Sequence, residues 1–257
     1  MRLAFSSLAC PGWTVEEIVR AADRYGYEGI EWRLADGALL GPRTEDVVWD
    51  AIKECGVRPA CLDTSCVFVQ ADDEGREGAV GYAIAMAERA AAIGAPSIRV
   101  FGGAIPDDTT RSDVLEPTAQ ALTAAAGRMP DGVALLVETH DAWSRASDMA
   151  GLVGATQGVG VVWDVAHTYR AGESPRESLE HIGVPGLVHV KDTRGEALTH
   201  LGEGDVPLAE AISELRNVGY DGWLSLEWEK LWHPELDDPD VALPLAQAAL
   251  QALVADD

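Results

Sequence analysis

The stretch Val133-Ala134-Leu135-Leu136-Val137-Glu138 is a short apolar run ending on a carboxylate, and Val159-Gly160-Val161-Val162-Trp163-Asp164 repeats that shape. Runs of this length, bounded by polar segments, read as buried strands. A helix is expected between them from about Ser144. Outward from this pair, the order strand, turn, amphipathic helix reaches both ends of the chain. Residues 2–6, Gly29 to Arg33, Val57 to Asp63 and Ser97 to Phe101 read as the earlier strands. Leu187 to Lys191 and Trp223 to Glu227 read as the later ones. Helices are expected from Thr14, whose hydroxyl caps ahead of Glu16 and Glu17, and over Thr44 to Cys55. Further helices are expected at 76–93, closed by Gly94, at Arg111 to Arg128 and near Pro175 to His181. The last two are Val206 to Val218, behind an Asp205 cap, and 239–254.

Strands alternating with helices in this way imply a parallel sheet. The chain has 257 residues, close to the ~250 of a typical (β/α)8 TIM barrel, so closure is expected over an open doubly wound sheet. No Gly/Ser linker or composition break divides the sequence, and 1–257 reads as a single TIM-barrel domain. Thr193 to Gly204, with Gly195, Gly202 and Gly204, reads as a mobile covering loop.

Hydrophobic residues make up 47% of the chain, enough for a large core, yet no apolar run approaches the ~20 residues of a membrane span. Met1-Arg2-Leu3-Ala4-Phe5-Ser6 enters a strand pattern directly and lacks the pattern of a secretory signal, so a cytoplasmic location is expected. The net charge of −24, from 43 acidic against 19 basic residues, argues against nucleic acid or an anionic membrane as partner. Cys10, Cys55, Cys61 and Cys66 form no Cys-x-x-Cys pair and read as reduced, mostly buried thiols.

In such barrels the chemistry sits at the C-terminal ends of the strands. Glu138, Asp164, His189 and Glu227 fall there, 26, 25 and 38 residues apart, against the roughly 30 expected for one unit of the repeat. Strand alternation places Leu187, His189 and Lys191 on one face, and Ser225 and Glu227 on one face, so both ligand-type residues are free to point inward. Three carboxylates and an imidazole make a mostly oxygen set, suited to Mn2+, Mg2+ or Co2+ with open positions for substrate. Any one of the four taken alone also suits a structural ion pair.

Strands five to eight carry a family resemblance through Val137-Glu138-Thr139-His140, Trp163-Asp164-Val165-Ala166-His167 and Val188-His189-Val190-Lys191-Asp192. Leu201-Gly202-Glu203-Gly204-Asp205-Val206-Pro207 and Gly219-Tyr220-Asp221-Gly222-Trp223-Leu224-Ser225-Leu226-Glu227 complete it. Together they resemble the xylose isomerase-like TIM-barrel superfamily of sugar-phosphate isomerases and epimerases; the first half matches in rhythm alone. The resemblance implies that Glu138, Asp164, His189 and Glu227 bind a divalent metal, Mn2+ first, with Mg2+, Co2+ or Zn2+ as others. It implies that Glu138 and Glu227 are catalytic, carrying a proton on opposite faces of the reacting carbon through a metal-stabilised enediolate. His167 matches a substrate-contacting position. Arg194 lies one residue short of an arginine that holds a substrate oxygen, and Ser144 stands where the epimerases have a glutamate. A homo-oligomer fits the resemblance.

The expected function is therefore a metal-dependent isomerase or epimerase of a sugar or related polyol. An inosose-type dehydratase using the same metal site is the alternative. An apurinic-site endonuclease-like barrel and a non-catalytic sugar-binding barrel rank lower: strands two to four end in Glu31, Asp63 and Arg99, without the extra histidines of those nucleases. Substrate-binding candidates are His167, Arg194, His140 and Lys191. His140 reads either as a mouth residue or as a loop cap, and Lys191 either as a ligand for a substrate oxygen or phosphate or as a rim salt bridge. Glu31 and Arg33 read as a buried ion pair, with reach into the pocket as the other option. His200 is a lesser candidate for substrate contact from the covering loop, and Trp13, Trp32 and Trp228 read as core packing before pocket wall.

Overall fold

The computed structural model describes residues 1–41 and 44–255. Seven barrel strands come first: β1 (Arg2–Ser6), β2 (Gly29–Arg33), β3 (Arg58–Val67), β4 (Ser97–Phe101), β5 (Ala134–Glu138), β6 (Val159–Asp164) and β7 (Leu187–Val190). After a hairpin of β8 (Asp192–Arg194) and β9 (Ala197–Thr199), β10 (Trp223–Leu226) completes the sheet. The order β1-β10-β7-β6-β5-β4-β3-β2 is a closed barrel with parallel pairing throughout. Helices on the outside are α1 (Val15–Tyr25), α2 (Asp46–Glu54), α3 (Asp73–Ile93), α4 (Arg111–Ala126), α5 (Ala146–Gly154), α6 (Val165–Arg170), α7 (Pro175–Ile182), α8 (Leu208–Asn217) and α9 (Pro239–Ala255). The (β/α)8 TIM barrel expected from the alternation is the observed fold.

Alternation along each strand sorts the core into two layers. Phe5, Ile30, Trp32, Leu62, Ile98, Val137, Trp163, Val188 and Leu224 belong to the large apolar layer between sheet and helices. Burying each such side chain stabilises the fold by about 1.5–3 kcal/mol. The opposite face supplies a small plug inside the barrel: Ala4, Ala60, Cys61, Leu136, Val162, Leu187 and Trp223. Gly29 makes room for this plug, since a Cβ there would stand 2.7 Å from the Trp223 ring. Two residues further along the strands, the same inward face carries Asp63, Glu138, Asp164, His189 and Ser225, all buried. The apolar plug is therefore the floor of a polar chamber.

Three local expectations are corrected. Asp205 does not cap α8; the N-cap position is Pro207, without a side-chain cap. A short helix, α6, follows β6 directly, its N-cap being Asp164, whose carboxylate accepts from the His167 backbone N–H at 2.9 Å. The segment from Thr193 to Gly204 is a pinned hairpin. β8 and β9 pair antiparallel, and buried Asp192 accepts from the backbone N–H of Thr193 (2.8 Å), Gly202 (2.8 Å), Gly204 (2.9 Å) and Val206 (3.1 Å). A Cβ on Gly204 would come within 2.1 Å of Asp192 Oδ1, so only glycine fits there.

Candidate metal centre

Closure of the barrel makes β5, β6, β7 and β10 consecutive neighbours. Asp164 pairs in register with His189, and His189 with Ser225. One potential ligand atom each from Glu138, Asp164, His189 and Glu227 lies within 4.8 Å of all the others, and all four residues are buried. Glu138 Oε1 stands 3.5 Å and Glu227 Oε1 3.7 Å from His189 Nδ1. That nitrogen makes no hydrogen bond among the described residues.

The other imidazole nitrogen is committed. His189 Nε2 lies 2.8 Å from Glu31 Oε1, and Ser225 Oγ donates to Glu31 Oε2. Glu31 thus pairs with His189 and Ser225, and the expected ion pair with Arg33 is not formed. A carboxylate on one imidazole nitrogen is the usual support of a metal-binding histidine, because it fixes the ring and leaves the other nitrogen for the ion. Glu31, Asp63 and His189 also lie within 4.8 Å of one another. That group is already cross-linked, by the Glu31–His189 bond and by Arg99 Nη2 at 3.2 Å from Asp63 Oδ2. The four-residue group leaves Glu138 Oε2, Asp164 Oδ2 and His189 Nδ1 without hydrogen bonds among the described residues, and its residues fit a divalent cation.

Charge in the chamber is balanced by two further buried cations. Arg99 Nε stands 3.1 Å from Glu138 Oε2. Lys191 Nζ stands 2.9 Å from Asp164 Oδ2, 2.6 Å from Glu227 Oε2 and 2.7 Å from Glu229 Oε1. Burial alone would raise the Glu138 pKa, but Arg99 and then His189 outweigh it and hold the carboxylate well below its usual range. Glu227, opposed in the same way by burial, is brought down to about 2 by Lys191 and His189. Burial works against the Lys191 ammonium, yet Asp164, Glu227 and Glu229 keep its pKa well above the ordinary value. Asp63 goes the other way, pushed to about 8 by burial and by Glu31.

The substrate-binding candidates separate. His167 lies beside the ligand set, with Nδ1 2.9 Å from the Thr139 carbonyl and 3.9 Å from Glu138 Oε1. Burial lowers its pKa, so the imidazole is neutral with Nε2 as the lone-pair nitrogen. His140 packs edge-on against His167 at 4.7 Å and lies tilted against Phe101 at 4.8 Å between centroids. Lys191 sits inside the ligand set as an ion-pair partner. Arg194 is not brought there: it is exposed on the hairpin and donates to the Glu203 carbonyl. His200 stacks on Trp228 at 5.0 Å and pairs with Asp237 at 2.9 Å. A cavity of about 460 Å³ beside the ligand set is lined by Ser144, His167, Arg170, Ala171, Gly195 and Glu196. The parts played by Glu31, Ser225 and Glu229 were missed. Parity with Gly29 was the one available signal for Glu31, and the pairing partner lies 158 residues away.

The Xylose isomerase-like TIM barrel family matches residues 19–251, and the chain belongs to that family. The rhizopine catabolism protein MocC of Rhizobium meliloti is 28% identical over 169 residues, 54% of this chain and 48% of that protein. The matches to curated relatives span between about a quarter and a half of those proteins' length. Among solved structures, the IolI protein with its zinc atom has a TM-score of 0.81 at 17% identity, covering 99% of this chain and 98% of that one. L-ribulose 3-epimerase has a TM-score of 0.81 at 16% identity, with 98% and 94% covered. The probable 3-DHS dehydratase AsbF from Bacillus anthracis has a TM-score of 0.77 at 18% identity over all of both chains. At these identities the solved structures speak for the fold. Among the described residues, no helix is long and apolar enough to cross a membrane.

Proposed function

We propose that this protein is a divalent-metal-dependent isomerase or epimerase of a small sugar or related polyol. One observation carries the reading: His189 Nδ1 has no hydrogen bond among the described residues and faces Glu138 and Glu227, while Nε2 is held by Glu31. Glu138, Asp164, His189 and Glu227 would hold the ion, which when bound would polarise neighbouring substrate oxygens and offset the negative charge that grows as a C–H proton leaves. Glu138 and Glu227 come from the two ends of an arc of four adjacent strands, so each approaches a substrate in the mouth from its own side. One carboxylate removes the proton and the other returns it on the opposite face, which inverts that carbon. Return to the neighbouring carbon interconverts aldose and ketose. Arg99 keeps Glu138 ionised, and the neutral His167 offers Nε2 to a substrate hydroxyl.

Elimination of water is the second reading, favoured by that same neutral imidazole. It places a further base beside Glu138 for a substrate with a leaving hydroxyl. Incubation of the purified protein with Mn2+ and panels of ketoses and inososes separates the two. An isomer of unchanged mass supports the first, and loss of water supports the second. Absence of any turnover across both panels contradicts both.

A further inference from the structure

Three arginine and lysine side chains are buried among the described residues: Arg33, Arg99 and Lys191. Arg99 and Lys191 lie against carboxylates. Arg33, only 7% exposed, meets uncharged acceptors alone. Its Nη1 donates to the Leu34 carbonyl and, at 3.1 Å, to Ser65 Oγ, with the Asp63 carbonyl at 3.5 Å. No carboxylate among the described residues comes within 4.0 Å of it. Arg33 shares the inward face of β2 with Glu31, and its backbone N–H donates to Ser7 Oγ at 2.9 Å, fixing the strand end at the barrel mouth.

A guanidinium carries five N–H groups in a planar fork. With one nitrogen spent on neighbouring acceptors, the Nε and Nη2 edge remains, the geometry that receives a carboxylate or phosphate through two parallel bonds. A buried charge with no counter-charge in contact is unfavourable. Burial and then Arg99 draw the Arg33 pKa down to about 10, with Asp63, Glu227 and Glu138 offsetting only part of that from beyond contact distance. An arriving anion would relieve both.

We propose that Arg33 is a specificity-determining residue and that the substrate carries an anionic group, a carboxylate or a phosphate, which docks on its free edge. The inference rests on the reading of the barrel mouth as the substrate site. It separates an acidic or phosphorylated polyol from the neutral sugars that the ligand set alone would accept.

Isothermal titration of Mn2+-loaded protein with D-sorbitol, D-gluconate and D-sorbitol 6-phosphate tests it, since the three share a carbon chain and differ in the terminal group. At least one anion is expected to bind tenfold or more tightly than D-sorbitol, and which one does so tells carboxylate from phosphate. Arg33→Gln should abolish that preference while leaving Mn2+ affinity within about twofold of the wild type. Equal binding of all three compounds, absence of binding by any, or a preference that survives Arg33→Gln would overturn the assignment. Should Arg33→Gln not fold, Arg33→Lys serves instead: it keeps the charge without the fork, and an undiminished preference would count against the proposal. If Mn2+ does not bind at all, the functional reading fails. The same titrations on metal-free protein then decide the Arg33 assignment separately, by the same preference and the same loss.

Discussion

His189 Nε2 and Glu31 Oε1 lie 2.8 Å apart across the barrel interior, joining a strand that carries a candidate ligand to one that carries none. The bond sets the imidazole so that Nδ1 turns toward Glu138 and Glu227. Replacing Glu31 by Ala is expected to weaken Mn2+ binding by about 10–100-fold, the usual effect of losing such a support. Glu31→Gln retains an acceptor oxygen and should cost less. Calorimetric titration of both variants checks the order; equal losses would remove the orienting role.

Glu138→Gln and Glu227→Gln each keep the shape of the side chain and remove a proton carrier. Turnover should fall by about 10²–10⁴ in either variant. In D2O, the variant that retains the abstracting carboxylate should still exchange the substrate C–H for deuterium without forming product. Mass spectrometry of recovered substrate shows which one does, and exchange in neither would deny the two-carboxylate scheme.

Loading of the ion should be pH-dependent. Burial works against protonated His189, but Glu31, Glu227 and Glu138 outweigh it and hold the imidazole pKa well above its usual value. The metal-free site therefore keeps a proton on His189 at neutral pH, and an incoming ion must displace it. Mn2+ affinity should rise with pH, by about tenfold per unit below that pKa. Titration in two buffers of different ionisation enthalpy should report close to one proton released per ion; none released would contradict the displacement.

Asp192 is expected to be a stability residue. It accepts from four backbone N–H groups that pin the hairpin and the start of α8. Asp192→Ala would strand buried donors, at about 1–3 kcal/mol for each left unsatisfied. With roughly 2–4 °C of Tm per kcal/mol for a chain of this size, Tm should drop by about 6 °C or more. A scan showing less than about 2 °C would mean that water takes over those donors.

The barrel was legible because apolar runs capped by Glu138 and Asp164 repeat at the unit spacing, and period-2 alternation then sends those acids inward. His189 and Glu227 were legible on the same grounds. Glu31 was visible as a buried acid at a strand end, yet its partner could not be read. Which of Arg33, Asp63 or His189 it meets depends on how the strands stagger on closure, and no local pattern records that. Thr193 to Gly204 looked loose because of its glycines. Gly204 is there because Asp192 lies against it, a close contact that composition alone presents as flexibility. The Asp205 cap failed because Val206 and Pro207 delay α8 to Leu208.

The shared metal site itself is tested most directly by Mn2+ titration of the purified wild type beside Asp164→Asn, with metal content measured after dialysis. The four-ligand account predicts one tightly held ion per chain in the wild type and its loss, or a drop in affinity of about a hundredfold, in Asp164→Asn. A wild type that binds no ion, or an Asp164→Asn variant that binds it equally well, would contradict the account.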